Sequence, residues 1–413
     1  MRLVAASYLL LSAASAAADD IESLSKPELV ARVRQLELEL QHESARQQQQ
    51  QQQQQPASSP VPPPPARQQL WPELMKTPFM MWNGWLPSTR GLIPGQANNE
   101  TLYYAAADRL VASGLRDAGY DTIAVTCNGW QRDPVTGRLR ANPKTWPNGY
   151  KALIDYLHAR KLKICAYSDT GGECSHYGAA CLLPPHVPMC PHCLRCPRRW
   201  LCLRAATNCC GEPGILGNEE QDVRQLADWG VDHIAVDNCA NPNTTAQSVF
   251  EYQRVHDALV KVGKPMIFGI WNGGSGKPWA WAPQLGHYWR TGPDLGTKWE
   301  GRPVREEGNN SSLGDEMSIM LNFDLQQSIP SLDSISGPGS FALLDNLALG
   351  LPPNVPHRGD PGLSVIESQT HMAIWCIMAS PLIINYNIFD GPGRVDPEIE
   401  KIAMHDEAIA INQ

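Results

Sequence analysis

From residue 77 onward, short apolar runs alternate with longer segments in which apolar residues recur at helical spacing. Such short runs are typical of buried strands, and the longer segments are typical of amphipathic helices. The strands are predicted at 79–82, 122–125, 162–167, 233–237, 266–270 and 287–290, and the helices at 102–115, 150–157 and 219–229. Strands that alternate with helices indicate parallel βα units with right-handed crossovers. We therefore predict an α/β fold, a (β/α)8 TIM barrel.

Two parts of that prediction rest on weaker signals. The last two units of the barrel, after Ser318, leave only a faint pattern. An open doubly wound sheet is the competing architecture. It is disfavoured because no Gly-rich phosphate loop follows any of the predicted strands.

Two of the predicted strand regions lead to an aspartate. Asp237 ends the run 233–237, and Asp294 follows the run 287–290 after a short turn. The carboxyl ends of barrel strands meet at one mouth, so we expect the two side chains to converge there. A single aspartate at a strand end is most often a turn residue. Two converging carboxylates are instead the minimum needed to split a glycosidic bond, one attacking the sugar and one protonating the leaving oxygen.

The first 18 residues have the composition of a secretory signal. Arg2 precedes an apolar stretch through Leu11, and small residues lead to Asp19. Twelve cysteines in an exported chain favour disulfides. Four Asn-x-Ser/Thr sequons agree with export and begin at Asn99, Asn243, Asn309 and Asn310. We expect a secreted glycoprotein, with the lysosome or vacuole as alternative destinations.

Residues 19–76 are predicted to lie outside the barrel. Helical spacing and a capping-box start predict an amphipathic helix over 25–41. Two heptads make a marginal coiled coil, so a weak self-association arm and an unpaired helix are both open. A glutamine run at 47–55 and prolines at 60–65 predict a linker without a core. The catalytic domain is then expected over 77–413.

Composition limits the partners. The net charge of −8 comes without a basic stripe that could neutralise phosphates, so we expect no nucleic acid partner. No later segment is long enough to span a membrane. The 13 tryptophans suit either sugar faces or a Trp-rich core. We expect a carbohydrate substrate and no cofactor.

A cysteine-rich insertion is predicted over about 175–209. Cys190, Cys193 and Cys196 have the spacing of metal ligands, but paired disulfides are favoured in an exported chain. No metal site is therefore predicted. The insertion could also be a loop without a selected role, and no function is assigned to it.

Short motifs occur in a fixed order along the predicted barrel. They include TPFMMWNGW at 77–85, WPNG at 146–149, YSDTG at 167–171, VDNC at 236–239, RTGPD at 290–294, and GPG at 337–339 with Asp345. This series resembles glycoside hydrolase family 27, the α-galactosidase and α-N-acetylgalactosaminidase family. The resemblance implies an enzyme that hydrolyses terminal α-linked sugars with retention of configuration.

The resemblance also implies roles for individual residues. Asp237 would be the nucleophile, Asp294 the general acid/base, and Arg290 a ligand of a substrate hydroxyl. A structural ion pair is the alternative role for Arg290. Trp85 and Asp169 would form the wall and floor of the sugar pocket.

The resemblance also implies that a disulfide joins the loop after the fourth strand to one after the third. It would join Cys239 to one of Cys174, Cys209 and Cys210. Cys165 lies in mid-strand, and we expect it to be a buried free thiol.

The chain departs from the family at the positions that grip galactose. The second strand leads to Thr126 and Asn128 where the family has an Asp-Asp pair, and the fifth leads to Trp271 and Asn272. Ala235 stands where the family has a lysine. We expect Thr126, Asn128, Trp271 and Asn272 to line the pocket with neutral surface.

Such a pocket predicts weak activity on simple α-galactosides and better activity on another α-linked sugar, such as an α-glucosidic one. A catalytically silent carbohydrate-binding protein is the rival hypothesis, and the presence of both aspartates argues against it. We expect the family's C-terminal β-sandwich to be absent.

Overall fold

The computed structural model describes residues 70–94, 97–127, 129–170, 207–239, 244–300, 318–356 and 359–413. The predicted signal, the helix at 25–41, the linker, Asn128, Cys174 and nearly all of the cysteine-rich insertion lie outside these residues.

Parallel strands in the described part of the chain form one eight-stranded sheet. The strands are β1 Met80–Asn83, β2 Thr122–Val125, β3 Lys163–Asp169, β4 His233–Asp237, β5 Ile267–Trp271, β6 Tyr288–Arg290, β7 Phe341–Leu343 and β8 Leu382–Ile384. They follow one another in the order β8-β1-β2-β3-β4-β5-β6-β7. A parallel bridge between Leu347, just after β7, and Ile384 of β8 joins the two ends. The predicted (β/α)8 barrel is confirmed.

Helices connect most of the strands. They are α1 Trp85–Thr89, α2 Glu100–Ser113, α3 Gly149–His158, α4 Glu219–Trp229, α5 Thr245–Val262, α6 Ile319–Gln327, α7 Leu332–Ile335, α8 Val365–Ile377, α9 Pro397–Ala403 and α10 Asp406–Asn412. Short 3-10 helices occur at Pro72–Met75, Pro278–Ala280 and Ala282–Gln284. A two-stranded hairpin, Trp130–Arg132 with Leu139–Ala141, follows β2. In these described ranges, no helix combines the length and apolar character needed to cross a membrane.

The predicted elements agree with the structure where the sequence pattern is long enough to read. β2, β4 and α4 have the predicted bounds, and the other predicted elements differ by one or two residues at most of their ends. The 18-residue helix α5 was not predicted. β7 and β8 hold three residues each, all buried, so they show neither alternation nor a long apolar run.

Side chains pack the barrel interior. Met81, Cys165, Tyr167, Tyr288 and Ile383 belong to one buried cluster inside the sheet. Gly269 of β5 makes room for the Tyr288 ring, because a Cβ at Gly269 would collide with that ring. The barrel is therefore a filled core whose open end is the mouth above it.

Candidate active site

A cavity of about 150 Å³ opens at the carboxyl ends of the strands. Its lining falls into charged, neutral polar, aromatic and apolar groups. The charged residues are Asp237, Arg290, Asp294 and Asp345; the neutral polar ones are Asn83, Thr126, Tyr167, Asn346 and Asn385; the aromatic ones are Trp85 and Trp271; the apolar ones are Leu86, Leu295, Leu347, Ala348, Leu351 and Pro356; Cys209 and Cys210 complete it. Asp237 and Asp294 thus line one cavity.

Asp237 is the last residue of β4, and its carboxylate is fixed by two donors. The Tyr167 hydroxyl donates to Oδ2 over 2.8 Å, and the backbone N–H of Asn238 donates to Oδ1 over 2.8 Å. Burial raises the pKa of Tyr167 well above its usual value, so its hydroxyl stays protonated and donates. The carboxylate of Asp237 is therefore held in one orientation.

The pKa of Asp237 is raised from 3.8 to about 6. Burial is the main cause, and the negative charge of Asp294 adds to it. The hydrogen bonds from Asn238 and Tyr167 and the charge of Arg290 act in the opposite direction. Near neutral pH, Asp237 is mostly ionised although it lies inside the barrel mouth.

Arg290, at the end of β6, connects the two remaining carboxylates of the cavity. Its Nη1 lies 3.1 Å from Oδ1 of Asp294 and 3.1 Å from Oδ1 of Asp345. Only 4% of the Arg290 side chain is exposed, compared with 60% of the Asp294 side chain. Asp294 therefore stands at the solvent side of the mouth, while Arg290 lies below it.

Asp345 is a site residue whose role the sequence did not reveal. It is 5% exposed, and its Oδ2 accepts the backbone N–H of Leu295 over 2.6 Å. Burial raises its pKa to about 6, although Arg290 acts to lower it. Its φ of 113° is one that L residues rarely adopt, and such strain occurs often at functional sites. The ion pair with Asp345 matches the alternative role expected for Arg290, and the same side chain lines the cavity, so its role as a substrate ligand stays a prediction.

Two disulfides anchor the rim of the cavity. Cys239, just after β4, is bonded to Cys209, one of its three predicted partners, with 5.4 Å between their Cα atoms. The adjacent Cys210 is bonded to Cys127, just after β2. Cys165 is buried and bonded to none of the described cysteines. The loop around Cys209 is thus tied to two strand ends.

The predicted sugar-binding residues are only partly brought together. Arg290, Trp85, Thr126 and Trp271 line the cavity. Asp169 and Asn272 are not among the residues that line it, so the structure does not place them in the pocket wall or floor as expected. Asn128 lies outside the described residues.

Local geometry explains why these two side chains point elsewhere. Asp169 is fully buried, and its Oδ2 accepts the backbone N–H of Cys239 over 2.9 Å, so it holds the loop after β4. Asn272 follows Trp271 directly, and its amide donates to the backbone oxygen of Ser275. Asn272 lies one residue beyond the end of β5, so of these two neighbours only Trp271 lines the cavity.

Trp271 is supported from below by a hydrogen-bonded chain. Its Nε1 donates to the Tyr288 hydroxyl over 2.9 Å, and that hydroxyl lies 2.7 Å from Nε2 of His233. Burial lowers the pKa of His233 well below its usual value, so a neutral imidazole shares a hydrogen bond with the Tyr288 hydroxyl. The indole is therefore fixed at the mouth as a flat surface on which a sugar face could pack.

Asp237 and three residues near it have the side chains of metal ligands. Asp169, Cys209, Asp237 and Cys239 place one ligand atom each within 4.8 Å of one another. The two sulfurs are joined as a disulfide, so they offer no thiolate. This group therefore fits a structural role better than a metal centre.

Comparison with known proteins agrees with the motifs. A melibiase family model described as alpha galactosidase A matches residues 77–182 and 203–413. The α-galactosidase A of Cellvibrio japonicus is 32% identical over 349 residues, which are 84% of this chain and 70% of that protein. An α-galactosidase of Oryza sativa subsp. japonica is 29% identical over 342 residues, which are 82% of this chain and 64% of that protein. The chain thus spans about two thirds of the length of these relatives.

Solved structures show the same architecture. An α-galactosidase of Saccharomyces cerevisiae has a TM-score of 0.64 and 26% identity, covering 84% of this chain and 66% of that one. The α-galactosidase I of Mortierella vinacea has a TM-score of 0.61 and 26% identity, covering 82% of this chain and 72% of that one.

Proposed function

The chain belongs to the melibiase family, glycoside hydrolase family 27, and from this premise we propose that it is a retaining α-glycosidase acting on terminal α-linked sugars. α-Galactosidase is the nearest activity, because the named relatives carry that name. One observation carries the proposal. Asp237 and Asp294 line the same cavity at the barrel mouth, and Arg290 is hydrogen bonded to Asp294 there.

The proposed reaction is a double displacement. Asp237 attacks the anomeric carbon and forms a glycosyl-enzyme, while Asp294 gives its proton to the leaving oxygen. Asp294 then takes a proton from water, and the water oxygen displaces Asp237 from the anomeric carbon. The products are the free sugar and the leaving alcohol, and both carboxyl groups return to their starting states.

The surroundings of the two carboxyl groups support this assignment of roles. A raised pKa alone would favour Asp237 as the acid. However, Asp237 is buried on a strand and held by two donors, which orient an ionised nucleophile. Asp294 is 60% exposed at the mouth, where an alcohol can leave and water can enter.

Trapping of the covalent intermediate tests the proposal. A 2-deoxy-2-fluoro α-glycosyl donor with a good leaving group should label the peptide that holds Asp237, as read by mass spectrometry. NMR of the first product should show the α-anomer. A β-anomer as first product, or label on Asp294, would contradict the assignment.

We propose that the preferred sugar is not a simple α-galactoside. The β2 end of the cavity carries Thr126, whose neutral hydroxyl replaces a charged acceptor. A hydrogen bond to a charged group contributes about 1.5–3 kcal/mol, so its loss weakens binding of galactose hydroxyls. A panel of nitrophenyl α-glycosides tests this. A kcat/KM above about 10⁴ M⁻¹s⁻¹ on the α-galactoside would contradict it, and binding without any turnover would favour a silent carbohydrate-binding protein.

We also propose that the protein is exported. The signal-like residues 1–18 and the two disulfides at the cavity rim support this, because disulfides persist in oxidising compartments. Expression with and without residues 1–18 should give protein in the medium only from the full chain. Equal retention of both inside the cell would contradict export.

A further inference from the structure

Three neutral polar side chains form one arc of the cavity, which we call the neutral arc: Asn83, Thr126 and Asn385. They stand at the ends of the neighbouring strands β1, β2 and β8. All three line the cavity, although they are only 1%, 5% and 2% exposed. The charged residues of the cavity come from the ends of β4, β6 and β7, so the two sets occupy different sides of the barrel mouth.

The orientation of the Asn83 amide is determined by its partners. The backbone N–H of Trp85 donates to Oδ1 over 3.0 Å, and the Thr126 hydroxyl donates to the same oxygen over 3.2 Å. A backbone N–H can only donate, so the atom that it meets must be the amide oxygen. Both lone pairs of that oxygen are occupied. The amino group of Asn83 is left with two N–H donors, for which the described residues supply no acceptor.

Asn385 adds a second side-chain amide with an unused polar group. Its Oδ1 is buried and accepts no hydrogen bond from the described residues. A buried polar group without a partner is costly, and native sites of this kind usually meet water or a ligand. Because Asn385 lines the same cavity as Asn83, the partner would come from the cavity.

We propose, resting on the glycosidase function above, that Asn83 is a specificity-determining residue that donates a hydrogen bond to an uncharged sugar hydroxyl. The hydroxyl is held through the lone pairs of its oxygen, and the side-chain amide of Asn385 is placed to form a hydrogen bond with the same sugar. An anionic substituent is disfavoured, because the cavity holds the carboxyl groups of Asp237, Asp294 and Asp345 against the single guanidinium of Arg290.

The variant Asn83→Asp tests the donor. Aspartate keeps an oxygen for the Trp85 N–H but replaces the amino group with an acceptor. Asn142→Asp is the matched control, because Asn142 likewise accepts the N–H two residues on, from Lys144 over 3.1 Å, and is not part of the cavity lining. If the two asparagines only formed turns, both substitutions would keep that role, because each aspartate still accepts the backbone N–H two residues on.

The measurement compares kcat/KM for the best nitrophenyl α-glycoside with its 3-, 4- and 6-deoxyfluoro counterparts. Fluorine can accept a hydrogen bond weakly but cannot donate one. At each position we take the ratio of kcat/KM for the deoxyfluoro substrate to kcat/KM for the parent glycoside. We expect Asn83→Asp to lower this ratio at one position by about tenfold relative to the wild type. The control should leave every ratio unchanged. A ratio that Asn83→Asp does not change would overturn the proposal.

Binding separates this inference from the proposed activity. The matching free sugars and their deoxyfluoro forms are titrated by NMR on the wild type and both variants. If the wild type binds sugars but cleaves none, the proposed function fails, and the binding ratios still decide the role of Asn83. If the wild type binds none of them, the inference is overturned as well.

Discussion

The carboxyl groups on the charged side of the cavity and the amides of the neutral arc differ in how they are satisfied. On the charged side, Arg290 is bonded to both Asp294 and Asp345, and Asp237 accepts two hydrogen bonds. On the neutral arc, Asn83 and Asn385 keep polar groups that the described residues leave without partners. The carboxyl groups of the charged side are thus held in place before a substrate binds, whereas the amides of the neutral arc keep hydrogen-bonding groups for what the cavity binds. Bond cleavage and sugar selection can therefore be changed separately by substitution.

The largest effect is expected on the charged side, from Asp237→Asn. The amide has nearly the same shape but is a poor nucleophile, so the glycosyl-enzyme should not form. We expect kcat to fall by at least about 10⁴-fold on every substrate, with circular dichroism unchanged. Asp324→Asn, an exposed carboxylate on α6, is the control. A residual activity of more than about 1% would show that Asp237 is not the nucleophile.

Asp294→Asn should give a loss that depends on the leaving group. Natural alcohols need a proton as they leave, so their kcat/KM should fall by about 10²–10⁴-fold. Nitrophenolates need little protonation and should lose much less. Steady-state kinetics on a nitrophenyl glycoside and on an alkyl glycoside of the same sugar check this. Equal losses on the two substrates would mean that Asp294 is not the acid.

Arg290→Met tests whether the charged side is held by its ion pairs. The substitution leaves the buried carboxyl of Asp345 without its cation. Breaking a buried ion pair in this way should lower the free energy of unfolding by about 3–5 kcal/mol. Arg224→Met is the control, because Arg224 pairs with the half-exposed Glu220 on the surface of α4, and its loss should lower the free energy of unfolding by less than about 1 kcal/mol. Urea denaturation at pH 7 measures both. Similar costs for both variants would show that Arg290 contributes no more than a surface pair.

The same comparison shows how far sequence reasoning reached. Asp237 was found because β4 is a five-residue apolar run that ends at it. The last barrel strands are only three residues long, so Asp345 and Asn385, which follow them, carried no comparable signal. Asp169 ends a strand as Asp237 does, yet it is directed to the Cys239 N–H. Which of two strand-end carboxylates faces the cavity depends on the loop packed over them, and sequence spacing does not encode that loop's path.

The disulfides show a similar limit. Cys209 and Cys210 are adjacent in the chain, so spacing could not distinguish them as partners of Cys239. Their side chains reach different strand ends in the structure, Cys209 toward β4 and Cys210 toward β2. Asn83 looked like part of a motif, and only its contacts with Trp85 and Thr126 revealed an oriented donor.

The smallest effect, a shift in pH dependence, tests how the charged side sets the ionisation of Asp237. A nucleophile must be ionised, and the pKa of Asp237 is about 6, so kcat/KM should fall as the pH drops through about 6. The Tyr167 hydroxyl donates to Oδ2 and favours the ionised form. Tyr167→Phe should therefore raise the pKa of Asp237 and move the acid limb to higher pH. Since one pKa unit corresponds to about 1.4 kcal/mol, the loss of this bond should move the limb by about one unit.

Asp294→Asn should move the same limb the other way. Its negative charge raises the pKa of Asp237, so neutralising it should lower the pH at which activity on a nitrophenyl glycoside is half lost. Tyr156→Phe is the control, because that hydroxyl donates to Asp108 over 2.9 Å and is not part of the cavity lining. The pH profile of kcat/KM on one nitrophenyl substrate gives the acid limb for each of the three variants. Opposite shifts for Tyr167→Phe and Asp294→Asn, with none for the control, identify Asp237 as the titrating group, since the Tyr167 hydroxyl donates to its Oδ2 and the charge of Asp294 raises its pKa.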